Sequence, residues 1–232
     1  MAGTGNMIEH PVTGEWMRFR KTAQETNGEL LQIELRVRPH GFVAAAHVHP
    51  RQEEYFKVIS GTITFMVNGV ESQAGAGQAV TVPAGAPHAW WNASDDEGRV
   101  IVEFRPALKT EELFETFFGL AQDGRVSPQS GLPNLLWITA MSREYRDEVY
   151  LTKPPRWMQK VLFGLLGPVA QLLGYRVPYR YPYAVPDSKR TVDALKDNQP
   201  CVPPVDFDPT TRGGRVSAWT NAATDRPPID CQ

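Results

Sequence analysis

Three of the five histidines in this chain fall in two short stretches whose residue types suit one metal ion. His47 and His49 flank Val48, and the carboxylates Glu53 and Glu54 follow past Pro50. His88 comes much later, after a Pro83–Gly85 corner. In an extended strand alternate side chains share a face, so His47 and His49 point together. Adjacent residues point apart, so only one of Glu53 and Glu54 can join them. Glu54 is the preferred ligand, with Phe56 and Val58 on its face. Parity puts Trp90 and Asn92 on the side of His88, and Trp91 on the other. Three imidazoles and one carboxylate form a set that a divalent transition metal accepts, with one or two positions left for water or substrate. The candidate metal ligands are therefore His47, His49, Glu54 and His88, and Glu54 doubles as the candidate catalytic base.

The surrounding pattern is that of strands. Leu31, Ile33, Leu35 and Val37 alternate with polar residues, and Val100, Val102 and Phe104 do the same later. Asn68-Gly69 supplies the two positive-φ positions of a type I′ hairpin turn. On the strand before it, either Ile63, Phe65 and Val67 or Thr62, Thr64 and Met66 face the metal. The first set would give an apolar pocket, so the candidate pocket residues are Phe56, Val58, Phe65, Trp90 and Asn92. Short strands punctuated by Gly, Pro and Asn argue for a sandwich or barrel over about residues 14–106.

Helical spacing follows. Thr110 is placed to N-cap a helix carrying Glu111 and Glu112 in its first turn and an apolar stripe through Leu113, Phe114, Phe117, Phe118 and Ala121. A second helix is expected over 135–149, with Arg143–Glu148 on a solvated face. A third opens at Pro154-Pro155 and closes at Gly174. Its apolar surface reads as a buried or interface helix, with membrane contact through residues 155–174 the lesser alternative. Tyr179, Tyr181 and Tyr183 read as an extended arm across the barrel or a partner. The domain reading is a barrel over 1–108, a helical extension over 109–178 and a Pro-rich, loosely ordered tail over 179–232.

The 232 residues are 41% hydrophobic and 22% charged, with a formal net charge of -2, so no basic surface calls for nucleic acid. The N-terminal residues lack a charged segment followed by an apolar one, which favours the cytoplasm. Cys201 and Cys231 read as free thiols. His10 and His40 belong to no spaced set and are expected at the surface. Exposed strand edges leave a homodimer plausible.

The two histidine stretches resemble the cupin superfamily. The pattern Gly-x5-His-x-His-x4-Glu-x6-Gly is met by Gly41, His47, His49, Glu54 and Gly61. The pattern Gly-x5-Pro-x-Gly-x2-His-x3-Asn is met by Gly77, Pro83, Gly85, His88 and Asn92. The resemblance covers about the first 108 residues. It implies a mainly β fold, a jelly-roll barrel with the metal inside, followed here by the helical extension. That extension looks like one found in a bacterial group of single-cupin proteins. By the same analogy the expected activity is that of a dioxygenase-like enzyme acting on a small organic molecule, with Fe(II) favoured and Mn, Ni or Zn as alternatives. A non-redox isomerase or cyclase of small-molecule metabolism and a non-catalytic ligand-binding module are the competing expectations.

Overall fold

The computed structural model describes residues 2–179 and 181. Two antiparallel sheets face each other. One has six strands, in the order β1 (Met7–His10), β2 (Glu15–Lys21), β3 (Leu31–Val37), β10 (Gly98–Arg105), β5 (Glu53–Ser60) and β8 (Ala79–Val82). The other has five, in the order β11 (Tyr150–Leu151), β4 (His47–Val48), β9 (Pro87–Trp91), β6 (Thr62–Val67) and β7 (Val70–Gly75). This is the expected mainly β jelly roll. The alternation read from β3 and β10 is the packing pattern: Leu35, Ile33 and Leu31 stand opposite Val100, Val102 and Phe104, and all six are buried. The Asn68-Gly69 turn has φ of 51° and 78°, as the β6–β7 hairpin requires. On β6, Ile63, Thr64 and Phe65 are all buried, and Ile63 and Phe65 belong to the hydrophobic core.

The barrel starts earlier than expected. β1 pairs with β2 from Met7 to His10, and His10 stands at the end of that ladder. It is fully buried rather than at the surface. Its Nδ1 accepts from the Thr13 N–H at 3.2 Å, its Nε2 lies 3.2 Å from the Gly131 carbonyl oxygen, and its ring packs on Phe117 and Phe118. With both ring nitrogens satisfied, a buried imidazole becomes tolerable. His40 is exposed, as expected, and lies 3.2 Å from Asp95.

Three helices follow the barrel. α1 (Thr110–Gln122) begins one residue earlier than expected, with Thr110 already inside the helix rather than at its cap. Lys109 is the N-cap position, and the Thr110 hydroxyl accepts from Gln52 Nε2 at 2.7 Å. α2 (Leu135–Glu144) is capped by the Asn134 side chain, which accepts from the N–H groups of Leu136 and Trp137. It stops at Glu144 rather than 149 because Tyr145 turns inward and is fully buried. Glu148, expected on a solvated face, is buried in the loop beyond; its carboxylate accepts from the Lys109 N–H. α3 (Arg156–Leu172) ends where Gly174, at φ 84°, and Tyr175 donate to the carbonyls of Gln171 and Ala170.

The third helix is less buried than its composition suggested. Gln159, Phe163, Gly167 and Ala170 face the protein, while Trp157, Val161, Leu165 and Leu172 are exposed. Gly167 has a steric reason: the Arg143 guanidinium occupies the space a Cβ would need. Among the described residues no helix is long and apolar enough to cross a membrane. Tyr179 and Tyr181 lie back on the barrel side: the Tyr179 hydroxyl bonds Asp123, and the Tyr181 hydroxyl accepts from the Glu9 N–H at 3.0 Å. Tyr183, both cysteines and the tail from 182 onward lie outside the described residues.

Burial lowers the pKa of His10 from 6.5 to about 4. The unfolded chain therefore takes up this proton first, and the contribution of His10 to stability is lost as pH falls from 6.5 toward 4. His47 acts in the same direction. Urea unfolding at pH 7 and pH 5 should show a loss of stability on acidification that is about 2 kcal/mol smaller in a His10→Gln variant. An equal loss in both proteins would mean that His10 does not titrate in this way.

Candidate metal centre

The register explains how the distant histidines meet. β4 lies between β9 and β11, and His47 stands directly opposite His88 in the ladder. Directly opposed residues bring their side chains within a few ångströms, and here the two rings are 4.3 Å apart. His49 follows two residues on, its ring 4.9 Å from His47 and 5.3 Å from His88. Glu54 comes from the facing sheet, where it stands between Phe104 and Val82. Glu53, its neighbour, is exposed. One ligand atom from each of His47, His49, Glu54 and His88 lies within 4.8 Å of the other three.

Each imidazole is oriented by a backbone carbonyl on Nδ1. His47 uses Ala45 at 2.9 Å, His88 uses Ala86 at 3.1 Å, and His49 uses Glu148 at 2.6 Å. A proton held on Nδ1 leaves the Nε2 lone pair of a neutral ring pointing inward, the arrangement typical of metal-binding histidine. His49 Nε2 then lies 3.3 Å, and His88 Nε2 2.9 Å, from Glu54 Oε2. All three atoms are buried without a hydrogen-bond partner. Burial, followed by the nearby charges of His88 and His49, holds the His47 imidazole well below its usual pKa, so the ring is neutral. Burial pushes the Glu54 carboxyl up, but positive charge facing it outweighs this and holds it below the ordinary carboxylate range; without an ion that charge is a proton shared with His49 and His88, and a bound cation would take its place. Lone pairs aimed at an anion are stable together only with a cation between them. The donor set therefore fits a divalent transition ion.

The cluster opens onto a cavity of about 150 Å³. Phe56 and Trp90 line it. Three candidate pocket residues do not. Val58 is buried opposite Val100, and Phe65 packs behind Phe56 at 5.0 Å between ring centres. Asn92 is a clamp: its Nδ2 donates to the carbonyls of Val37, Arg38 and Asp96, and its Oδ1 accepts from Ser94. Inward parity was right for all three, but the cavity occupies only part of the interior.

Much of the wall comes from residues with no motif to mark them. α1 supplies Leu113, Phe114 and Phe117; Ile138 and Met141 come from α2, and Tyr150 and Leu151 from β11. The extension is thus one side of the cavity, and it also supplies the carbonyl on His49. From the opposite sheet come Met17, Leu35 and one further carboxyl, Glu15. Glu15 is buried, and Thr13 Oγ1 donates to its Oε2 at 2.7 Å. Burial pushes its pKa up to about 8; the Thr13 hydroxyl opposes this, and the charge of Glu54 adds to it.

Residues 33–104 match the family described as the cupin domain. A protein of Arthrobotrys oligospora named as an oxidoreductase is 30% identical over 145 residues, which are 56% of this chain and 55% of that protein. One of Hypocrea virens named as a probable oxidoreductase is 28% identical over 161 residues, 63% of this chain and 70% of that one. The chain thus spans about half the length of the first of these relatives. An RmlC-like cupin from Shewanella frigidimarina, among the solved structures, is 22% identical, with a TM-score of 0.39 over 48% of this chain and 93% of that one.

Titrating chelator-treated protein with Zn(II), Mn(II) or Ni(II) should raise its thermal unfolding midpoint, saturating at one ion per chain. An excess near a hundredfold over the dissociation constant contributes roughly 3 kcal/mol, a shift of about 5–10 °C for a chain of this size. His49→Ala and His88→Ala should abolish the shift. A shift that survives in both variants would place the ion elsewhere.

Proposed function

We propose that this chain, which carries a single cupin domain, is a metal-dependent oxidoreductase of the dioxygenase-like kind, acting on a small and largely apolar organic molecule. The observation that carries the reading is the orphaned set of inward-facing atoms, His49 Nε2, His88 Nε2 and Glu54 Oε2, at the edge of a cavity walled by Phe56, Trp90, Phe104 and Phe114. The oxidoreductase names of the two curated relatives agree with it. His47, His49, Glu54 and His88 would hold the ion. A transition ion bound there supplies a Lewis acid and, when it is iron, a path for electrons between an organic substrate and dioxygen.

The side chains of this protein contribute the rest. The three Nδ1–carbonyl bonds fix the ring planes before any ligand arrives, so no reorganisation is needed on binding. Glu54 serves first as the anionic ligand, because His49 and His88 lower its affinity for a proton; it becomes a base only when released from that role. Phe56, Trp90, Phe104 and Phe114 present apolar surface to a substrate and keep water out. The cavity volume suits a ligand about the size of one aromatic ring.

Oxygen uptake by iron-reconstituted protein with a panel of catechols and small diketones tests this reading. Uptake above background is expected with at least one compound, falling to background in His49→Ala. Trp90→Ala should raise KM more than it lowers kcat, because it removes apolar contact and leaves the ligands in place. Turnover of the same compounds by zinc-loaded protein without oxygen uptake would replace the oxidoreductase reading with a non-redox isomerase or cyclase.

A further inference from the structure

Glu15 is the one carboxyl besides Glu54 among the described residues that line the cavity. It begins β2, on the face that also carries Met17 and Phe19 inward. Its Oε2 is occupied by the Thr13 hydroxyl at 2.7 Å. Among the described residues its Oε1 has no hydrogen bond and Glu15 forms no salt bridge; His10 stands opposite it in the β1–β2 ladder, but the two His10 ring nitrogens are engaged by Thr13 and Gly131. A buried carboxyl without a counter-charge is far cheaper in its neutral form. With Thr13 donating to one oxygen, the proton belongs on the other. Besides the hydroxyls of Ser142 and Tyr150, the cavity wall then carries an O–H donor on Glu15, in a lining that includes Met17, Leu35, Phe114 and Phe117.

We propose that Glu15 is a substrate-binding residue whose free carboxyl oxygen donates a hydrogen bond to an acceptor oxygen on the substrate. The inference rests on the cavity being the substrate site, and it narrows the substrate class. The ligand is a ring-sized apolar molecule with a metal-binding oxygen at one end and a neutral acceptor, such as a carbonyl, at another. A second carboxylate there is selected against, because it would compete with Glu15 for the proton and with Glu54 for positive charge. The raised pKa of Glu15, about 8, agrees with a donor that keeps its proton at neutral pH.

The test uses zinc-loaded protein, so that binding is measured without turnover, and two probes: catechol, and 3,4-dihydroxyacetophenone, which adds a carbonyl to the same chelating head. Wild type should bind the carbonyl-bearing probe roughly tenfold more tightly, the value of one well-placed buried hydrogen bond. Glu15→Leu should erase that preference while leaving the affinity for catechol and the zinc content unchanged. Glu15→Gln, which offers an amide donor in the same shape, should keep part of it. Infrared difference spectra of wild type against Glu15→Gln should show the carbonyl stretch of a protonated acid in the metal-free protein. Equal binding of the two probes by wild type, an unchanged preference in Glu15→Leu, or the absence of that stretch would overturn the assignment. Failure of both probes to bind zinc-loaded wild type would instead overturn the reading of the cavity as the substrate site, and this assignment with it.

Discussion

The interior of this barrel is organised around an electrostatic mismatch that the protein alone leaves unresolved. Three imidazoles are each tied at Nδ1 to a backbone carbonyl, so their remaining nitrogens are turned toward one another and toward Glu54. His88 Nε2 and Glu54 Oε2 are 2.9 Å apart, buried, and without partners. In an apolar interior such an arrangement is costly. A cation at their common centre turns the same geometry into four favourable contacts, and the neutral state of the His47 ring leaves its lone pair free to take part.

This arrangement depends on elements far apart in the chain. Two of the orienting carbonyls are local, since Ala45 and Ala86 each lie two residues before the histidine they hold. The third is not. The carbonyl of Glu148 reaches His49 from the loop between α2 and β11. Tyr150 and Leu151 of β11 pair with β4, and Thr152 donates to the Ala46 carbonyl, so the helical extension is sewn to the segment that carries His47 and His49. The extension contributes to the candidate site in two senses: it orients the His49 ring, and it walls the cavity with Phe114, Phe117 and Met141.

What could be read from the sequence followed from periodicity. Strand parity is enough to put His47 and His49 on one face, to separate Glu54 from Glu53 and to turn Trp90 inward. Asn68-Gly69 announces its hairpin because few other pairs tolerate its dihedral angles. The features that escaped have no local signature. A backbone carbonyl such as that of Glu148 looks the same in every residue. Glu15 belongs to no spaced set of metal-ligand residues, and only the closing of the six-stranded sheet brings it to the cavity. Asn92, Val58 and Phe65 point inward as parity requires, but which part of the interior stays open depends on how the extension packs. The burial of His10 has no local signal either, because its partners Gly131 and Phe117 lie more than a hundred residues away.

The central claim is that these four side chains hold one cation, and anomalous-difference crystallography of metal-soaked protein examines it most directly. The account expects a single strong peak in contact with His47, His49 and His88 through Nε2 and with Glu54 through a carboxylate oxygen. Anomalous density bound elsewhere, or none at that point after soaking with iron, manganese, nickel and zinc in turn, would contradict it.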